Sequence, residues 1–180
     1  METNSTSIRI RTKPFWKLSR KEKIVALVVI AALMVGVTLP SRIIVATSDS
    51  LDHRVFFKVP IDPRTVEMGD YLLFELEGKI HKSHIRTGIK ENNLLIKKVG
   101  CVPGMDLSKD AEGTFFCNQF PIGTALQKDS QGLELPIFTF SGEIPKDSYY
   151  MMGANPRSFD SRYFGLIHGD AFISKALPLW

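Results

Sequence analysis

The chain has 180 residues with 23 basic and 19 acidic side chains, a length that suits one modest domain plus a short appendage. Its net charge of +4 is concentrated: residues 1–23 hold seven basic and two acidic residues, so the remainder carries 16 basic against 17 acidic. That balance excludes a nucleic-acid-binding surface on the folded part, which would need basic residues spread through it and interleaved with exposed aromatics.

The basic opening runs into an uncharged stretch, IVALVVIAALMVGVTL from Ile24 to Leu39, followed by Pro40-Ser41-Arg42 and the apolar Ile43-Ile44-Val45-Ala46. The first stretch is a little short of the ~20 residues that a bilayer core asks for, but a snorkelling Arg42 and the second patch extend its reach. The pattern predicts one transmembrane anchor over 24–45, with 1–23 as a cytoplasmic basic tail. Residues 46–180 then form a domain on the outer face, the periplasm in a bacterium. The alternative is a cleaved signal peptide, which the length of the stretch and the mediocre small-residue site at Ile44-Val45-Ala46 disfavour.

Beyond Ala46 no long stretch has helical periodicity. Residues Val55–Val59, Tyr71–Leu76, Asn93–Val99, Thr114–Cys117, Leu135–Phe140, Tyr149–Met152 and Ala171–Ser174 are rich in β-formers. Turn residues separate them, among them Pro60, Pro63, Gly69-Asp70, Gly78, Pro103-Gly104, Gly113, Gly132 and Pro145. Many short strands with frequent turns predict an all-β sandwich or folded barrel. No repeat, low-complexity segment or linker separates a second globular domain.

Three blocks carry chemistry. Thr47-Ser48-Asp49-Ser50-Leu51 sets two serines one residue apart, just past the apolar span. Leu94-Leu95-Ile96-Lys97-Lys98-Val99-Gly100-Cys101-Val102-Pro103-Gly104 puts a lysine in an apolar strand. On that strand Lys97 shares a face with Leu95 and Val99, and Lys98 with Ile96 and Gly100. The third block is Gly153-Ala154-Asn155-Pro156-Arg157-Ser158-Phe159-Asp160-Ser161-Arg162-Tyr163-Phe164-Gly165. In that order the blocks resemble the signal peptidase I family of Ser/Lys proteases, from about the anchor to the last strand. The third block is the most specific part of the resemblance.

The resemblance implies a catalytic core of signal peptidase type, with no cofactor and no metal. It makes Ser50 the nucleophile and Ser48 the serine whose hydroxyl helps hold the oxyanion, both on one side of an extended segment. Lys97, six residues before Pro103, becomes the general base, which must be neutral and therefore desolvated. Ser158 orients the lysine amine, and Asp160 with Arg162 forms a structural ion pair behind the site. The chain departs from the family pattern at Leu51, where Met is usual, at Met105 for Asp in Pro-Gly-Asp, and at Ala154 for Asp in Gly-Asp-Asn. Taken alone, the serines would read as a polar turn, and Lys97-Lys98 as a solvated edge pair.

Other candidates are weaker. His81 and His84 have an HxxH spacing without an accompanying cysteine or carboxylate cluster, and a solvated hairpin accounts for them better than a metal site. Cys101 and Cys117 are the only cysteines, on strand-like segments outside the membrane. A disulfide between them is expected, with free thiols as the alternative.

The function implied is a membrane-anchored serine endopeptidase that cleaves translocated precursors held in the lipid bilayer. One anchor and only about forty residues between Gly104 and Glu143 make the chain compact. With Ser-Asp-Ser-Leu in the first block, it looks more like the peptidases of plasmid conjugation systems that mature pilin precursors. There the acyl-enzyme is resolved by water or, with cyclisation, by the precursor's own amine. The alternatives are a general signal peptidase and a non-catalytic membrane-tethered assembly factor of a secretion or pilus system. The oligomeric state is not legible.

Overall fold

The structure, a computed structural model, describes residues 19–76 and 94–180, and the chain divides into two units at Ser41/Arg42. His81 and His84, and the start of the predicted strand at Asn93, lie outside the described residues. In the first unit, α1 (Arg20–Thr38) starts at Ser19 with a reciprocal capping box: the Ser19 side chain accepts from the Glu22 amide, and the Glu22 carboxylate from the Ser19 amide at 2.7 Å. Its apolar side chains are exposed all round. Together with the 3-10 turn Pro40–Arg42 it makes 23 residues long and apolar enough to cross a membrane.

The second unit is all-β. Its strands are β1 (Ile43–Val45), β2 (Val55–Val59), β3 (Tyr71–Glu75), β4 (Leu94–Cys101), β5 (Asp106–Lys109), β6 (Thr114–Cys117), β7 (Phe120–Thr124), β8 (Gly142–Glu143), β9 (Ser148–Met152), β10 (Ile167–His168) and β11 (Phe172–Pro178). A single helical turn, α2 (Ser161–Phe164), is capped by the Asp160 side chain. Seven strands form one sheet in the order β1-β2-β11-β3-β4-β9-β10, and four form a second in the order β7-β6-β5-β8. All pairings among the described strands are antiparallel.

The centre of the large sheet explains its apolar sequence. Tyr71 and Leu73 of β3 join a cluster with Leu51, Phe56, Ile96 and Ala176 on one face. Leu72 and Phe74 pack with Val99, Tyr149, Met151 and Ile167 on the other. A strand covered on both faces needs a continuous apolar run rather than an alternating one. The second sheet supplies a third cluster, in which Leu107, Phe115, Cys117 and Ile144 meet Cys101 and Tyr150 of the large sheet. Cys101 and Cys117 are disulfide-bonded, linking β4 to β6 with Cα atoms 5.7 Å apart.

Two expectations are corrected. Ile43–Val45, which looked like the end of the apolar span, is strand β1, paired with Val55–Phe57. An apolar triplet satisfies a sheet as well as a bilayer. Leu135–Phe140 forms no named strand: Pro136 has no amide hydrogen to give, and Phe138 N–H donates to the Arg162 carbonyl at 2.8 Å instead of to a ladder. Its side chains still cover the third cluster, so the apolar pattern reported burial rather than pairing.

Candidate active site

The three blocks meet at one cavity of about 710 Å³, lined by Ser48, Ser50, Lys97, Asn155 and Ser158 beside an apolar wall that includes Ile44, Ala46 and Leu73. Each block is held by a different device.

Lys97 is fixed by sheet register. It lies opposite Leu72 on β3, on the face of Val99 and Leu95, and is 4% exposed, whereas its neighbour Lys98 is exposed. A buried ammonium loses hydration that the apolar cluster cannot replace. Burial accordingly pushes the Lys97 amine down to about 8; the charge of Asp160 opposes this shift and that of Arg162 adds to it. Lys97 Nζ donates to Ser158 Oγ at 2.7 Å.

Ser158 is fixed by the third block. Its amide donates to the Asn155 carbonyl at 2.9 Å, which rolls residues 155–158 into a turn. Behind it Arg162 and Asp160 form a wholly buried, two-pronged ion pair, Nε to Oδ1 at 2.8 Å and Nη2 to Oδ2 at 2.7 Å. The remaining valences are used: Arg162 also donates to the carbonyls of Thr124, Asn155 and Ser158, and Asp160 accepts from the Gly153 amide at 2.8 Å. These bonds tie the pair to the backbone of the loop that carries Ser158.

Ser48 and Ser50 lie in a turn rather than the expected extended segment, and their hydroxyls are hydrogen-bonded at 3.0 Å. The turn is held from the third block. The Ser50 carbonyl accepts from the amides of Ala154 (2.8 Å) and Asn155 (3.4 Å), and the Asn155 side-chain amide donates to the Asp49 carbonyl at 3.1 Å. Asp49 itself turns outward to an ion pair with Arg54.

Sequence reasoning missed two residues. Asn155 bonds the serine turn through its side chain while its carbonyl holds Ser158, so one residue couples both. Gly153 marks a close approach of the first and third blocks: a Cβ there would overlap the Ser158 side chain and lie 2.9 Å from the Ser50 carbonyl oxygen. Neither position carries a reactive group that would mark it in a single sequence. No group of three or more His, Cys, Asp or Glu side chains able to hold a metal occurs among the described residues.

An all-β domain after an apolar N-terminal helix gathers two serines, a buried lysine and a third serine around one cavity. The family model described as signal peptidase, peptidase S26, matches residues 21–180, and the chain belongs to that family. Its members are serine peptidases that cleave signal sequences at membranes. Among solved structures, a signal peptidase I from Enterococcus faecalis V583 is similar at 18% identity, over 62% of this chain and 96% of that one, with a TM-score of 0.37. No curated protein sequence matches significantly.

Proposed function

We propose that the protein is a membrane-anchored endopeptidase working through a Ser50/Lys97 dyad. The observation that carries this reading is the buried Lys97 amine, bonded to Ser158 in the cavity that Ser50 also lines. A hydroxyl is a poor nucleophile until a base takes its proton, and an amine whose pKa is about 8 is neutral often enough near pH 7 to do so. Lys97 takes the Ser50 proton as the serine oxygen attacks the scissile carbonyl; Ser48 Oγ and backbone amides bond the oxyanion; the protonated lysine then returns the proton to the leaving amine. Ser158 aims the amine, and the Asp160–Arg162 pair holds Ser158. The Cys101–Cys117 cross-link braces β4.

In this reading residues 1–23 are cytoplasmic, an anchor within 24–45 crosses the bacterial inner membrane, and the rest from about 46 to 180 is the periplasmic peptidase domain. The substrate is a precursor held in the bilayer, of the small pilin type that conjugation systems mature, because a compact core on one anchor suits a dedicated enzyme. General leader-peptide cleavage is the second reading.

The test is processing of a co-expressed pilin precursor, followed by mass spectrometry. Ser50→Ala and Lys97→Ala abolish processing, while Lys98→Ala, on the exposed side of β4, is close to wild type. Undiminished processing by the Lys97 variant would favour a non-catalytic assembly role. A product lighter by one water than its linear sequence means that its own amine resolved the ester. Rescue of cells depleted of their housekeeping signal peptidase would favour the general enzyme.

A further inference from the structure

The cavity holds two cations that this chemistry does not use. Lys58 lies on β2, between β1 and β11, and is half-buried; its register partner on β11 is Ala176, and it has no ion pair or hydrogen bond to its side chain among the described residues. Lys58 lies one residue past the β1 pairing, which ends at Phe57, and on the face of buried Phe56, so its ammonium is half-buried at the cavity rather than on the open surface. Arg157 lines the same cavity from the third block. Its backbone amide bonds Asn155 Oδ1, and its guanidinium has no partner among the described residues. Among the described residues the one carboxylate in the lining, that of Asp49, is taken by Arg54. The cavity is therefore positive against walls of Ile44, Leu73, Leu94 and Leu95, and apolar walls concentrate such a field.

We propose that Lys58 and Arg157 select precursors carrying an acidic side chain in the segment bound near the cut. This rests on the endopeptidase reading above. A carboxylate brought into the cavity meets two cations without partners, and no free carboxylate, among the described residues, so it exchanges water for charge-assisted bonds, while a basic side chain there is repelled.

The full-length protein in zwitterionic detergent is incubated with a mixed library of internally quenched decapeptides, and cut sites are read by mass spectrometry. The expected cut sites are enriched about tenfold in Asp or Glu at a fixed distance from the scissile bond, and replacing that residue with Asn or Gln lowers kcat/KM by about the same factor, the size of one screened charge contact. In the double variant Lys58→Gln, Arg157→Gln the acidic-to-neutral ratio falls to about one, and Lys58→Glu moves the preference toward Lys or Arg. Cut sites with no acidic enrichment overturn the inference while leaving the endopeptidase reading intact, provided Ser50→Ala cuts nothing. Cleavage that survives Ser50→Ala, or no cleavage by wild type, overturns both. If the double variant is impaired only in vesicles containing phosphatidylglycerol, and equally for acidic and neutral peptides, the cations serve the lipid surface and the inference fails.

Discussion

Lys97 and Ser158 are 61 positions apart and are joined by a 2.7 Å hydrogen bond from amine to hydroxyl. Both are 4% exposed, so each replaces a lost water with the other. Holding one N–H in a fixed direction narrows where a neutral amine's lone pair can point, and the proposed dyad requires it to point to Ser50. Ser158→Ala removes the aim without removing the base. Expected is a loss in kcat of about 10²-fold with KM within about twofold, measured on one purified precursor; an equal rise in KM would assign Ser158 to substrate binding instead.

The pH dependence follows from the lowered amine. If neutral Lys97 is the working form, kcat/KM rises with pH through an apparent pKa of about 8 and levels above it. The check is a rate profile between pH 6 and 10. A rise confined to pH above 10 would mean a solvated lysine and would contradict the burial of Nζ.

Stability should carry a mark of the same residue. The folded pKa, about 8, lies below the ~10.4 of an unfolded lysine, so between these values the unfolded chain binds more protons and stability rises with pH. Below pH 8 the full penalty of charging a buried amine is present. Lys97→Met, close in volume, should therefore stabilise the folded protein by ~2–3 kcal/mol at pH 7 and by progressively less toward pH 10. Thermal melts of both proteins in detergent across that range would read it.

Gly153→Ala tests the close approach of the first and third blocks. The added methyl lies 2.9 Å from the Ser50 carbonyl oxygen and overlaps Ser158, so the turn carrying Ser50 or the loop carrying Ser158 must move. Misplacement by about 1 Å costs on the order of 10²-fold in rate. Processing should fall by that factor while the circular dichroism spectrum keeps its β-signature.

The disulfide closes a loop whose ends are 16 residues apart, equivalent to ~3 kcal/mol in the chain-entropy account. Cys101→Ala with Cys117→Ala should lower the urea midpoint accordingly and, because Cys101 lies on the strand of Lys97, also lower activity below the unfolding range. Stability unchanged from wild type would show that the cross-link is energetically idle.

Much of the fold was legible because burial leaves a mark in single residues. The run Tyr71-Leu72-Leu73-Phe74 is apolar without alternation since both of its faces are covered, and Thr114–Cys117 matches its strand end to end. Less legible were β5, whose Asp106 and Lys109 hide a strand, and β7, which contains Pro121 and Gly123. Ile43–Val45 and Leu135–Phe140 mislead in opposite senses, since an apolar side chain specifies removal from water but not the surface that removes it. In the site, the face of Lys97 was readable from strand alternation, and its separation from exposed Lys98 agrees. The tie from Asn155 to the serine turn was not, because it depends on where two distant backbones cross.

The hydrogen bonds from Ala154 and Asn155 to Ser50 have a consequence for the protein's birth. A ribosome releases the serine turn first of the three blocks, the lysine strand next and the third block last. Until residues 153–162 emerge, the Ser50 carbonyl lacks its partners, the Lys97 amine lacks Ser158, and Asp160 and Arg162 do not yet exist to hold them. In the proposed dyad, a nascent copy is thus chemically silent until its third block has emerged.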